Sequence, residues 1–130
     1  MVLVHEVIGH LEGKDNFGQA IIGAAAYAGR PSEVLIYDNR LTKLKGRFAP
    51  YGSTYRGGLF VASGDVNSDG KEEIVVGAAS SGKTIRVFDS AGRRLSEFSS
   101  GEFFGSAGAM VGTVDVNFDG KTDIAVTNAP

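Results

Sequence analysis

Two nine-residue stretches carry the residues best suited to chemistry. Asp-Val-Asn-Ser-Asp-Gly-Lys-Glu-Glu occupies residues 65–73, and Asp-Val-Asn-Phe-Asp-Gly-Lys-Thr-Asp occupies residues 115–123, fifty positions later. Each sets oxygen-bearing side chains at positions 1, 3, 5 and 9 around a glycine at position 6. Calcium takes six to eight oxygen ligands at roughly 2.3–2.6 Å in a flexible cage, so this spacing suits a hard cation. The backbone must turn sharply around such an ion, and Gly70 and Gly120 tolerate the positive φ that the turn demands. An apolar run follows each stretch, which makes the pair a repeat with a metal site inside it. The alternative is a solvated acidic turn without metal. Three carboxylates crowded on one short loop repel one another in the absence of a cation, and here the crowding occurs twice.

The elements that must hold these loops repeat with them. Residues 59–65 align with 109–115 ahead of the loops, and residues 74–78 align with 124–128 behind them. A weaker copy lies upstream. Residues 20–25 match 74–79 at an offset of 54, and residues 34–38 match 85–89 at an offset of 51, which implies a three-residue insertion around Arg30 and Pro31. Each unit reads as four short strands, because runs of apolar, β-branched and small residues are bounded by Gly, Asn, Asp and Ser. In the central unit the strands are expected at residues 59–66, 73–78, 84–88 and 94–98, with turns at the Asp65 loop, at 80–82 and at 90–92. No window sustains the i, i+3, i+4, i+7 apolar stripe of a helix. A four-stranded antiparallel unit recurring about every 50 residues is a propeller blade, since one such sheet cannot bury both faces alone. The expected fold is therefore all-β: a partial β-propeller whose four-stranded antiparallel blades number two in full plus half of a third. Their expected spans are residues 4–50, 51–100 and 101–130. Propellers close with roughly four to eight blades. The chain is thus expected to be part of a longer protein or one protomer of a homo-oligomer that completes the ring.

Composition narrows the function classes. At 130 residues the chain is the size of one ordinary domain. A net charge of −2 supplies no basic patch for nucleic acid or an anionic membrane. Nineteen glycines against three prolines, lying between short apolar runs, point to many turns rather than disorder. The chain has no cysteine, so no disulfide framework exists and the redox compartment is left open. No apolar run approaches the roughly 18 residues that cross a bilayer, so no membrane insertion is expected. Residues 1–6 lack the basic start and long apolar core of a secretory signal. A role outside the cell would require a targeting segment beyond this sequence.

These motifs resemble the FG-GAP repeats of integrin α-subunit propellers and their VCBS-like bacterial relatives. In that family a Phe-Gly pair opens the blade, an Asp-x-Asp/Asn-x-Asp-Gly-x-x-Asp loop joins its first two strands, and Gly-Ala-Pro follows the second. Tyr51-Gly52-Ser53 and Phe104-Gly105-Ser106 look like the opening pair, and Gly77-Ala78-Ala79 and Asn128-Ala129-Pro130 like the closing one. The resemblance implies a seven-bladed extracellular or cell-surface ring with calcium in hairpin loops on one rim. Such a ring serves adhesion or presents a surface to a protein or carbohydrate ligand, without catalysis. Carried over by position, one Ca2+ would be held by Asp65, Asn67, Asp69 and Glu73, and a second by Asp115, Asn117, Asp119 and Asp123. Lys71 and Lys121 would contribute only backbone carbonyl oxygens. Glu73 is a methylene longer than the aspartate of the pattern, which implies a distorted or weaker site. The matching stretch at residues 11–19 keeps one carboxylate in place and is expected to hold no metal.

Other readings of the same residues fit less well. Helical calcium loops of the EF-hand or dockerin kind also begin Asp-x-Asn-x-Asp-Gly, but they close with a bidentate acid at position 12, where this chain has Val76 and Val126. Gly77-Ala-Ala-Ser-Ser-Gly-Lys-Thr84 fits the phosphate-binding pattern Gly-x4-Gly-Lys-Ser/Thr. That pattern must lead into a helix whose N-terminus faces the phosphates. Residues 85–92 instead alternate like a strand and meet a glycine turn, and Asn117 and Asp119 mark Asp115 as part of a calcium loop rather than a nucleotide site. Catalysis finds little footing. His5 and His10 lie in the first strand region with nothing that forms a triad. Phe60, Phe88, Phe103 and Phe104 recur at core positions, while Arg93 and Arg94, like Lys43, Lys45 and Arg47, read as solvated faces of outer strands. The competing enzyme reading is the propeller of a calcium-dependent polysaccharide lyase. It would need a Lys, Arg or His cluster in a cleft, and this sequence shows none.

Overall fold

Ten strands and no helix form the described part of the computed structural model, which comprises residues 3–12, 19–26, 31–38, 43–79, 84–99 and 108–128. Strands β1 (Leu3–Glu12), β2 (Gln19–Ala26), β3 (Glu33–Asp38) and β4 (Leu44–Phe48) pair in chain order as one antiparallel sheet. Strands β5 (Leu59–Gly64), β6 (Glu73–Ala78), β7 (Thr84–Phe88) and β8 (Arg94–Ser99) form a second sheet of the same order. Strands β9 (Ala109–Val114) and β10 (Asp123–Asn128) pair antiparallel as a third. The all-β, antiparallel expectation holds, and β6 and β7 have the expected bounds. His5 and His10 fall on β1. The turn at 80–82, the Phe103-Phe104-Gly105-Ser106 stretch, the Ala129-Pro130 end of the closing motif, Arg30 and most of the 11–19 stretch lie outside the described residues.

One strand end departs from its expected place for a local reason. β5 stops at Gly64, two residues short of Val66. The Val66 amide donates to the Gly64 carbonyl at 3.0 Å and to the Glu73 carboxylate at 3.0 Å, so it has left the ladder. The expected turn at 90–92 is present, with Gly92 at φ 84° and the Gly92 amide donating to the Asp89 carbonyl at 3.0 Å.

Packing explains why the sheets stack. Every residue of β6 is buried, because its apolar run serves both faces of its sheet. Successive side chains point to opposite faces. Ile74 and Val76 join Val34 and Ile36 of β3, Leu59, Val61 and Phe88 on one side. Val75 joins Ala62, Ile85, Val87, Ala109 and Val111 on the other. The second sheet is thus packed between the first and the third, in the manner of neighbouring propeller blades. Each fully buried Val or Ile contributes roughly 1.5–3 kcal/mol relative to exposure.

Two devices set how closely the sheets approach. A Cβ added at Gly77 would overlap the Ala109 carbonyl, so only glycine lets β6 meet β9 at this distance. The Thr113 hydroxyl donates to the carbonyl of Ser63, its equivalent one repeat earlier, at 2.5 Å. In the first opening motif, Tyr51 carries a hydroxyl where the pattern has phenylalanine. That hydroxyl donates to the Val76 carbonyl at 3.1 Å and reaches the Thr84 carbonyl, tying β6 to β7. Burial pushes it above its ordinary pKa, while the Arg86 guanidinium, 5.0 Å from the ring centroid, acts in the opposite direction.

Candidate metal centre

The β5–β6 and β9–β10 hairpin loops are shaped by their own side chains. In the first, Asp65 Oδ1 accepts the Asp69 amide at 3.0 Å and Asp65 Oδ2 accepts the Gly70 amide at 2.9 Å. Asn67 Oδ1 accepts the Asp69 amide at 3.0 Å, and Asp69 Oδ1 accepts the Lys71 amide at 2.8 Å. The second loop repeats every one of these bonds. Asp115 accepts from Asp119 and Gly120 at 3.1 and 2.8 Å, Asn117 from Asp119 at 3.3 Å, and Asp119 from Lys121 at 2.9 Å. The backbones match as well, with Ser68 and Phe118 at φ 61° and 58°, and Gly70 and Gly120 at φ 84° and 85°. Such short polar loops fold around their own carboxylates, which are acceptor-only groups with about four lone-pair sites each. Each amide bond consumes one site, so acceptor capacity remains for a cation.

Position 9 differs between the loops. Glu73 begins β6, is only 2% exposed, and its Oε2 accepts the amides of Val66 and Asn67 at 3.0 and 3.4 Å. Asp123 begins β10 and accepts the Val116 amide at 3.2 Å. Carboxylate oxygens of Asp65, Asp69 and Glu73 all lie within 4.8 Å of one another. Opposite ligands on one calcium ion, each at about 2.4 Å, are about 4.8 Å apart, so three oxygens at this spacing can share an ion. Among the described residues this is the group of acidic side chains that converges so closely; Asp115, Asp119 and Asp123 do not reach that spacing. The loop closed by the longer Glu73 is therefore the tighter one.

The electrostatics point the same way. Burial pushes the Glu73 carboxyl above its ordinary value. The Val66 and Asn67 amides oppose that shift, and the charges of Asp69 and Asp65 reinforce it. Crowded negative charge of this kind is what a divalent cation would relieve. The donor set, three carboxylates and an amide oxygen, fits a hard cation such as calcium. Lys71 and Lys121 sit exposed at position 7, their amides held by Asp69 and Asp119. Thr84 opens a strand, so among the described residues no helix follows the Gly77–Thr84 pattern as a phosphate cradle would require.

Sequence reasoning passes over three apolar side chains near these loops. Phe118 projects from the tip of the second loop, 92% exposed, and Leu95 and Phe98 stand half-exposed on β8. Phe98 had one available clue, its place fifty residues after Phe48. Arg93 and Arg94 are surface groups paired with Asp89 and Glu97 at 3.0 and 3.4 Å.

Repeated antiparallel sheets, two of them with an acidic hairpin loop between their first two strands, make an all-β repeat architecture consistent with propeller-like blades. Within that class, the family model for an FG-GAP-like repeat matches residues 65–126, from the first acidic loop into β10 and just under half of the chain. The match is consistent with an FG-GAP-type repeat in that segment. Repeats of this family are in general non-catalytic, β-rich modules of protein-interaction or adhesion type. No curated protein and no solved structure gives a significant match to the chain.

Proposed function

We propose that the chain is a calcium-stabilised, non-enzymatic interaction module, working outside the cell or at its surface and offering a propeller-type scaffold to a protein or carbohydrate ligand. The observation that carries this reading is the convergence of Asp65, Asp69 and Glu73 within 4.8 Å on a loop whose backbone is built by its own ligands. Asn67 and the Lys71 carbonyl complete that site. Asp115, Asn117, Asp119, Asp123 and the Lys121 carbonyl form the second, weaker site, because its carboxylates must draw together as the ion enters. Extracellular modules bind calcium with dissociation constants of about 10⁻⁴–10⁻³ M, a range suited to such exposed loops. The ion does no chemistry here. It neutralises crowded carboxylates and pins both hairpins.

A ligand that binds only the folded state stabilises by RT ln(1 + [L]/Kd), about 2.7 kcal/mol per site at a hundredfold excess over Kd. For a chain of this size that corresponds to a rise in melting temperature on the order of 10 °C. Thermal unfolding in calcium and in chelator, for the wild type and for Asp65→Ala combined with Asp115→Ala, tests the reading. The wild type is expected to gain stability with calcium and the double variant to gain none. Identical wild-type melting in the two buffers overturns the proposal.

A further inference from the structure

The two acidic loops are neighbours in space. Val66, Asn67 and Glu73 of the first and Thr122 and Asp123 of the second line one groove of about 520 Å³, which continues beside Leu95 and Phe98. Two threonines join the loops. Gly64 ends β5 and directly precedes Asp65. A Cβ added at Gly64 would lie 3.0 Å from the Thr122 methyl and 3.0 Å from the Thr113 Cβ, so both threonines are seated on the Gly64 main chain. The Thr113 hydroxyl fastens the same strand end, donating to the Ser63 carbonyl at 2.5 Å. Thr122 stands between Lys121 and Asp123, positions 7 and 9 of the second loop. One packing contact therefore links the residue before position 1 of the first loop to position 8 of the second.

We propose that calcium binding at the two loops is positively coupled, and that the seat of Thr122 on Gly64 is the contact that couples them. The proposal rests on the calcium reading of both loops and adds a regulation to it: filling one loop raises the affinity of the other. The physical reason is a shared ordering cost, since fixing main chain consumes conformational entropy. In a loaded first loop Asp65 is held, Gly64 is held with it, and Thr122 packs on a fixed surface. Lys121 and Asp123 then lose less freedom when the second loop closes. That loop gains most, because its carboxylates have to draw together, whereas those of Asp65, Asp69 and Glu73 already lie within 4.8 Å. Charge does not oppose the coupling: three carboxylates in each loop outweigh one divalent ion, so a filled loop does not repel the next ion. By linkage the effect is reciprocal, and loading the second loop strengthens the first by the same factor.

Calorimetric calcium titration of the whole chain tests this with Asp69→Asn and Asp119→Asn, each alone and each combined with Thr122→Ser. The asparagine variants keep the acceptor oxygen that holds the Lys71 or Lys121 amide and remove one charge from their own loop. Thr122→Ser removes the methyl seated on Gly64 and no proposed ligand atom. The second loop is expected to bind calcium about fivefold or more weakly in Asp69→Asn than in wild type, and the first loop to weaken by the same factor in Asp119→Asn. On the Thr122→Ser background both factors are expected to fall close to one. Amide exchange supplies an independent readout: calcium should slow exchange at residues 63–66 of Asp69→Asn, where the second loop alone keeps its full charge. Thr122 is partly exposed, so Thr122→Ser is expected to melt like the wild type, which separates a lost contact from a lost fold. Two loops that fill with affinities indifferent to each other overturn the coupling and leave the calcium reading standing. Coupling that persists in full on Thr122→Ser overturns the assigned contact. No saturable heat in any of these chains overturns the calcium reading and the coupling with it.

Discussion

Glu73 holds the Val66 and Asn67 amides as an acceptor, and it carries a charge that the buried site disfavours. Glu73→Gln keeps an acceptor oxygen and removes the charge. Its metal-free stability should stay within about 1 kcal/mol of wild type, while calcium affinity at this site falls at least about tenfold. Equal calcium affinity in the variant would remove Glu73 from the ligand set. Asp89 gives a second residue-level expectation. Burial opposes its charge, but the Arg93 and Ala91 amides and the Arg93 guanidinium together hold its pKa below the ordinary 3.8. The unfolded chain binds this proton more readily, so the carboxylate stabilises above that value and its contribution is lost as pH falls through the lower, folded value. Asp89→Ala should cost about 1–2 kcal/mol near neutral pH, and urea melts should show the gap closing as pH falls below the ordinary 3.8. The acidic cluster of Asp65, Asp69 and Glu73 was legible because its spacing is written along the chain. The depth of Glu73 was not, since burial depends on the β6 run packing between two other sheets.

At the scale of elements, β6 and β7 could be read from sequence because β-branched residues fill them and Gly, Ser or Asp bounds them. The early end of β5 could not, because it depends on a side chain reaching back from the far side of the hairpin. Sheet contact was equally hidden. Gly77 looked like part of a closing motif, whereas in space it admits the Ala109 carbonyl. Gly77→Ala should therefore destabilise by about 2 kcal/mol or more, since main chain must move. Gly112→Ala, with nothing within 4 Å of the added Cβ, should be neutral or slightly stabilising. Comparable losses in both variants, measured by chemical denaturation, would show that strand propensity dominates over sheet contact. Tyr51→Phe removes the hydroxyl that joins β6 to β7 and should cost about 1 kcal/mol. The raised pKa of Tyr51 means its stabilisation holds below the ordinary value of 10.0 and declines as pH rises beyond it. The wild type should then lose its advantage over Tyr51→Phe in alkaline melts.

Across the whole molecule, the fifty-residue period carries the architecture: among the described residues, two four-stranded sheets and a two-stranded third, stacked so that the central sheet is buried on both faces. The period was legible from sequence, because aligned loops and flanking runs mark it. The groove beside Phe98 was not, since Val87, Leu95 and Ile124, which line it with Phe98, come together only in the fold. On the proposed function calcium would act at this scale too, since each loop joins the first two strands of its sheet and β5 packs beside β9. The claim on which this account depends is that both loops bind calcium to steady that stack. Isothermal titration of calcium into chelator-treated chain tests it directly. The account predicts two ions per chain, the tighter one lost in Asp65→Ala and the weaker one in Asp115→Ala. A titration with no saturable heat, or one unchanged by either substitution, contradicts it.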